Sequence, residues 1–153
     1  MNFLEFIFGK PVYRQDDFWG KMQFIDGKKN VHESFLSGTK YFAPIQKEIK
    51  VTLNGNITSN LEQQTTWFQE IEANYAKIVK QVTPLIEDEF RNAWEYFTIK
   101  DFDREFEVTY ISIPICKQSP IIWEIVFNTI HDLNHDITIT MEDFEAKDLL
   151  IDG

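Results

Sequence analysis

The chain has 153 residues, of which 43 % are hydrophobic, and a formal net charge of −10. This length and composition fit one globular domain over residues 1–153 rather than a disordered chain. The negative charge lies after residue 60, mostly in Glu87–Glu107 and His131–Gly153. Because acidic proteins repel phosphate backbones, the charge argues against nucleic-acid binding. It favours a basic protein partner, although it also serves solubility alone.

Neither the first residues nor the single cysteine indicates export. Met1–Lys10 lacks the basic start and the long apolar core of a signal peptide. It is also far shorter than the roughly 20 residues of a spanning helix. Cys116 is the only cysteine, which excludes an intrachain disulfide, and its apolar surroundings predict an unreactive thiol. We therefore expect a cytoplasmic protein that does not attach to a membrane.

Three strands are predicted before residue 55. They cover Asp17–Ile25, Ser34–Phe42 and Ile45–Leu53, and the last shows the clearest alternation of apolar and polar side chains. The dipeptides Asp26-Gly27 and Asn54-Gly55 are typical of turns and should end the first and third strands.

A long amphipathic segment, Asn60–Phe97, is predicted to be helical. Ser59 to Glu62 has the spacing of a capping box. An apolar stripe follows at steps of three and four residues: Phe68, Ile71, Tyr75, Ile78, Val82, Ile86, Phe90, Ala93, Trp94 and Phe97. Pro84 interrupts this segment, so either Thr83 caps a second helix or one helix bends there.

Strand-like alternation returns after Phe97. Phe106, Val108 and Tyr110 are expected on one face of a strand. Two further strands are indicated by Trp123, Ile125 and Phe127 and by Ile137, Ile139 and Met141, and Phe144–Ile151 is a candidate edge strand. Strands in runs on both sides of a helical segment predict an α+β fold. We expect an antiparallel sheet of five to seven strands packed against a long, kinked or broken central helical segment.

The pattern His131-Asp132-Leu133-Asn134-His135-Asp136 is the strongest candidate for chemistry. Imidazole and carboxylate groups at this spacing are ligands that a transition metal accepts. Asn134 and the apolar residues on both sides indicate a strand–turn–strand instead, in which these side chains are only solvated. The chain contains no phosphate-binding glycine loop and no complete catalytic triad, and we expect no catalytic residue, bound metal or cofactor.

The two ends of the sequence suggest a family. The opening Met1-Asn2-Phe3-Leu4-Glu5-Phe6-Ile7-Phe8-Gly9-Lys10 and the ending Leu149-Leu150-Ile151-Asp152-Gly153 resemble those of small, single-domain bacterial proteins of unknown function. Some of these proteins occur as immunity proteins, which bind and neutralise a toxin. The resemblance implies a cytoplasmic binding protein and assigns no active site.

Two functions follow as hypotheses. The first is a non-enzymatic interaction protein that is an immunity-type inhibitor of a basic partner, with contacts expected at Glu142, Asp143, Glu145 and Asp148. The second is a metal-dependent hydrolase that uses His131, Asp132, His135 and Asp136.

Overall fold

A single eight-stranded sheet organises the protein. The computed structural model describes residues 9–27 and 34–153, so the expectations for Met1–Phe8 lie outside the described residues. The strands are β1 (Val12–Asp16), β2 (Gly20–Ile25), β3 (Phe35–Phe42), β4 (Lys47–Asn54), β5 (Phe106–Ile113), β6 (Ile122–Thr129), β7 (Asp132–Glu142) and β8 (Glu145–Asp152). Three helices lie between β4 and β5: α1 (Glu62–Ala73), α2 (Tyr75–Arg91) and the short α3 (Phe102–Glu105).

The strands lie side by side in sequence order, from β1 at one edge to β8 at the other. All neighbouring strands are antiparallel except β4 and β5, which run in the same direction with Lys50 opposite Tyr110 and Leu53 opposite Ile113. A parallel pair needs a long crossover connection, and here the helices provide it. The sheet therefore consists of two antiparallel meanders, β1–β4 and β5–β8, that are joined at its centre.

The predicted architecture, an antiparallel sheet of five to seven strands packed against a long, kinked or broken central helical segment, is wrong. The sheet is mixed, and the described residues form eight strands instead of five to seven. The helical residues are divided among separate helices of 12, 17 and 4 residues. Sequence periodicity could not show the direction of β5, because alternation is the same in parallel and antiparallel strands.

Helices α1 and α2 cover one face of the sheet, which we call the inner face. Seven of the ten predicted stripe residues are buried: Phe68, Ile71, Tyr75, Ile78, Val82, Ile86 and Phe90. Helix α2 ends at Arg91, short of the predicted Phe97, so Ala93 and Trp94 are exposed and Phe97 is half-buried. Phe68 packs edge-to-face on Trp19 of the β1–β2 turn and on Phe42 of β3, with ring centroids 5.2 and 5.8 Å apart. Burial of these rings and aliphatic chains is the main stabilising contribution.

The helical segment breaks at Asn74 and not at Pro84. The Asn74 side chain donates a hydrogen bond to the carbonyl of Glu70 (2.8 Å), which competes with continued helix formation. Helix α2 continues through Pro84, where the Thr83 hydroxyl donates to the carbonyl of Val79 (2.6 Å). At the start of α1 the carboxamide oxygen of Asn60, rather than Ser59, accepts the N–H of Glu62.

The strand predictions need three corrections. The predicted strand Asp17–Ile25 begins only at Gly20, because Asp17, Phe18 and Trp19 form a turn. Val12–Asp16 was not predicted, yet it pairs with β2 as an edge strand through the turn that ends at Gly20, whose φ is +71°. A bulge between Val108 and Tyr110 reverses the alternation of β5. Val108 is consequently buried on the inner face, whereas Tyr110 lies on the other side of the sheet.

Gly38 in the middle of β3 marks a close approach, not an interruption. A Cβ at this position would collide with the sulfur of the buried Met22 and would lie 3.1 Å from the carbonyl oxygen of Lys21. The glycine thus lets β2 and its Met22 side chain pack tightly against β3.

Candidate functional site

Carboxylates from three strands meet on the outer face, which is the side of the sheet opposite α1 and α2. Trp123, Ile125 and Phe127 point inward, so Glu124 points outward. Residues paired across neighbouring strands lie on the same face. The register therefore places Glu124, Asp136, Glu142, Glu145, Asp148 and Asp152 together. We call these six residues the acidic face.

The acidic face is accessible, and three lysines lie close to parts of it: Lys147 on β8, Lys77 near Glu145, and Lys50 beside Asp136 and Asp152. Five of its six residues are exposed, and Glu142 is half-buried. Lys147 is the only lysine or arginine in β6, β7 and β8. Its ammonium lies 2.8 Å from the carboxylate of Glu145, and this hydrogen bond lowers the pKa of Glu145. The six carboxylates outnumber these lysines, so the potential over the three strands stays negative.

Two carboxylate pairs on this face are directly opposed across strands. Asp136 lies opposite Asp152 at one end of β8, and Glu142 lies opposite Glu145 at the other end. Like charges in such positions destabilise a sheet. Lys147 offsets the repulsion between Glu142 and Glu145. The Asp136–Asp152 pair works against folding stability, and a bound cationic group would relieve its repulsion.

A hollow lies next to the acidic face where β4, β5 and β6 meet. Val126 points to the outer face but is only 7 % exposed. It is flanked by its register partners Tyr110 and Thr138. Lys50, Glu124, Asp136 and Asp152 also line this hollow, whose volume is about 610 Å³. The outer face therefore presents a concave polar surface as well as charge.

The four residues predicted to contact a partner have different roles. Glu142, Glu145 and Asp148 belong to the acidic face, and the carboxylate of Asp148 accepts the N–H of Leu149 (2.9 Å). Asp143, in contrast, holds the β7–β8 turn: its carboxylate accepts the N–H of Ile121 (2.9 Å) and its carbonyl accepts the indole N–H of Trp123 (2.6 Å). Asp143 is thus a structural residue beside the surface.

The structure does not bring His131, Asp132, His135 and Asp136 together as one ligand set. His135 Nδ1 lies 2.8 Å from a carboxylate oxygen of Asp132, while His131 Nε2 lies 2.7 Å from Glu105. Asp136 points to the acidic face opposite Asp152. Among the residues that the structure describes, no group of three or more His, Cys, Asp or Glu side chains is placed to hold a metal ion.

Glu105 and His131 form a pair that was not predicted from the sequence. One oxygen of Glu105 contacts His131, and the other accepts the N–H groups of Lys100 (2.7 Å) and Asp101 (2.6 Å). Burial alone would raise the pKa of Glu105, but the hydrogen bonds from Asp101, His131 and Lys100 outweigh it and lower the pKa. Because Glu105 is engaged by three partners, we assign it a structural role.

An aromatic cluster surrounds this pair at the end of α2. The His131 ring packs edge-to-face on Phe97, with centroids 5.0 Å apart, and Phe97 stacks on Phe90. Trp94 and Tyr96 lie beyond the end of α2 and are 46 % and 88 % exposed. The predicted stripe therefore reaches the protein surface here.

Cys116 has no catalytic setting. Burial raises the pKa of its thiol to about 11, so the nucleophilic thiolate is scarce near neutral pH. Its Sγ atom lies 3.3 Å from the carbonyl oxygen of Pro114, within the loop that joins β5 and β6.

A second concavity lies under the β5–β6 loop. Pro114, Ile115, Pro120, Ile121 and Ile122 give it a mostly apolar lining, which Asn54, Lys117 and Gln118 complete. The cavity has a volume of about 500 Å³, within the range of sites that bind small molecules. We call it the loop pocket.

Comparisons with known proteins do not add a family to this description. No protein family, curated protein or solved structure matches the chain. Within residues 9–27 and 34–153, none of the helices is long and apolar enough to cross a membrane.

Proposed function

We propose that the chain is a non-enzymatic, cytoplasmic interaction domain whose acidic face binds a basic partner protein. The observation that carries this proposal is the outer face of β6–β8, where five of the six carboxylates are exposed and Asp136 opposes Asp152. The Asp136–Asp152 pair weakens the isolated sheet, and a lysine- or arginine-rich surface would compensate it and add to the compensation that Lys147 gives Glu145. The partner is a protein and not a nucleic acid, because phosphate groups would be repelled by the same carboxylates.

An immunity-type inhibitor is the specific form of this proposal. A toxin that acts on a polyanionic substrate needs a basic substrate surface, and an acidic face of fixed geometry can cover such a surface. The charge asymmetry of the chain and the terminal resemblance support this form. The cytoplasmic location is supported by the single cysteine, since disulfides are rare in that compartment.

The part of the chain that the structure describes gives the hydrolase hypothesis no supporting geometry. A hydrolytic metal needs several converging ligands with an open position for water. The imidazoles of His131 and His135 are instead hydrogen-bonded to different carboxylates, Glu105 and Asp132.

A pull-down with matched charge variants tests the proposal. The test variant is Glu142→Gln, Glu145→Gln and Asp148→Asn, which neutralises three residues of the acidic face and keeps Asp143 intact. The control neutralises three exposed carboxylates on the helices, Glu62→Gln, Glu70→Gln and Glu89→Gln. Both variants change the net charge equally, so the comparison separates a localised surface from bulk charge.

We expect the wild type and the helix variant to capture the same basic partner from the native cell. The acidic-face variant should lose it. Association of the purified pair should slow as salt rises, because ions screen the attraction over about 8 Å at physiological ionic strength. Equal capture by the acidic-face variant, or an association rate independent of salt, would contradict the proposal.

A further inference from the structure

The loop pocket is joined to the acidic face by hydrogen bonds at the end of the β5–β6 loop. The Asp143 N–H donates to the carbonyl of Ile121 (2.8 Å), and the Ile121 N–H donates back to the Asp143 carboxylate (2.9 Å). Ile122 is the register partner of Glu142, so the first residue of β6 lies beside the carboxylate on the outer face. These contacts tie the end of the loop to the β7–β8 turn, so Ile121 and Ile122 of the pocket wall are held in place beside Glu142.

Exposed aliphatic side chains lie on the pocket wall. Ile115 is 40 % exposed and Ile122 is 57 % exposed, although both are β-branched hydrocarbons. Single exposed aliphatic residues are ordinary. Here, however, two of them line the same concave and mostly apolar pocket. A partner side chain that enters the pocket would remove both from water and gain hydrophobic stabilisation.

The charges around the pocket differ on its two sides. Glu142 lies next to Ile122, and Glu124 lies two residues farther along β6 on the same face. Lys117 lies on the loop side of the pocket. A cationic partner is therefore attracted toward β6–β8 and repelled by Lys117 on the loop. These two forces orient the partner residue that enters the pocket.

We propose that the loop pocket receives one aliphatic side chain of the basic partner, while neighbouring lysine or arginine residues of that partner contact Glu124 and Glu142. This inference rests on the proposed function and specifies the partner chemistry: a leucine-like side chain with basic residues beside it. The carboxylates attract and orient the partner, and the apolar pocket distinguishes this partner from other proteins with basic surfaces.

Two short peptides test this anchor. The probes are acetyl-Lys-Lys-Leu-Lys-Lys-amide and the same peptide with serine in place of leucine, titrated at low salt into isotope-labelled protein and followed by NMR. Both should shift the amide signals of the acidic face. The leucine peptide should also shift those of Ile115, Gln118 and Ile122, and it should bind about tenfold more tightly because of the buried side chain.

Two single-residue variants test whether the loop pocket causes the preference for the leucine peptide. Ile122→Ser should abolish the preference for leucine and keep the affinity for the serine peptide. Leu150→Ser is the control, because Leu150 is also an exposed aliphatic residue of the outer face, with 59 % exposure against 57 % for Ile122, and it does not line the pocket. Both substitutions affect exposed side chains, so the fold should be retained.

The outcomes separate the two proposals. Equal binding of both peptides to the acidic face would overturn the anchor and leave the proposed function standing. A leucine preference that survives in Ile122→Ser would also overturn the anchor. Failure of both peptides to shift any acidic-face signal at low salt would count against the proposed function together with the anchor.

Discussion

Replacing Glu105 with alanine should destabilise the protein by about 3 kcal/mol. The buried carboxylate accepts the backbone N–H groups of Lys100 and Asp101 and contacts His131. A hydrogen bond to a charged group contributes roughly 1.5 kcal/mol or more. We count only the two backbone bonds, because the His131 side chain is 30 % exposed and its contact is partly screened.

Urea unfolding followed by circular dichroism measures this loss. For a chain of this length about 3 kcal/mol corresponds to a fall in Tm of roughly 6–12 °C. Glu107→Ala is the matched control, since Glu107 lies two residues away and its ion pair with Lys47 (2.7 Å) is about half exposed on both sides. An exposed ion pair contributes less than about 1 kcal/mol. Equal losses in the two variants would refute the argument.

The pH dependence gives an independent check. The pKa of Glu105 is lowered from its ordinary value of 4.5, so folding favours the ionised form. This stabilisation is complete above about pH 4.5 and is lost as the pH falls through the lowered pKa of the folded state. The difference in the free energy of unfolding between the wild type and Glu105→Gln should therefore become smaller as the pH falls below about 4.5. A constant or growing difference would show that the carboxylate is not held as an anion.

Four further changes have defined outcomes. Asp152→Asn should raise the free energy of unfolding, and more so at low salt, because it removes a like-charge pair; a loss of stability would contradict that interpretation. Ile86→Ala should cost about 3 kcal/mol in urea unfolding, because the side chain is fully buried. Gly38→Ala should cost about 1–3 kcal/mol by calorimetry, since the new methyl collides with Met22. Alkylation of Cys116 should be slow at neutral pH and should accelerate toward its pKa of about 11.

Local periodicity predicted which side chains are buried. The helical stripe from Phe68 to Phe90 and the inward residues of β6 and β7 are determined by nearest neighbours along the chain, and a repeat of 3.6 or 2 residues reports them. The break at Asn74 was not found, because Pro84 gave a stronger local signal for a helix end than a single asparagine.

Contacts between residues that are far apart in the chain could not be predicted from the sequence. The acidic face requires the register of three strands, and a shift of one residue would move every carboxylate of one strand to the inner face. Glu124 could have been found, because it alternates with Trp123 and Ile125. The pairing of Asp136 with Asp152, and of Glu105 with His131, depends on tertiary structure and leaves no pattern in the sequence.

The parallel contact between β4 and β5 also bears on the order of folding. The antiparallel pairs join segments that are close in the chain, whereas Thr52 reaches Ser112 across 60 residues. Closing so long a loop lowers chain entropy before any contact compensates it, so each meander should form ahead of their union. Strand pairing at the middle of the sheet is then the last to be completed, after both outer regions have already taken shape.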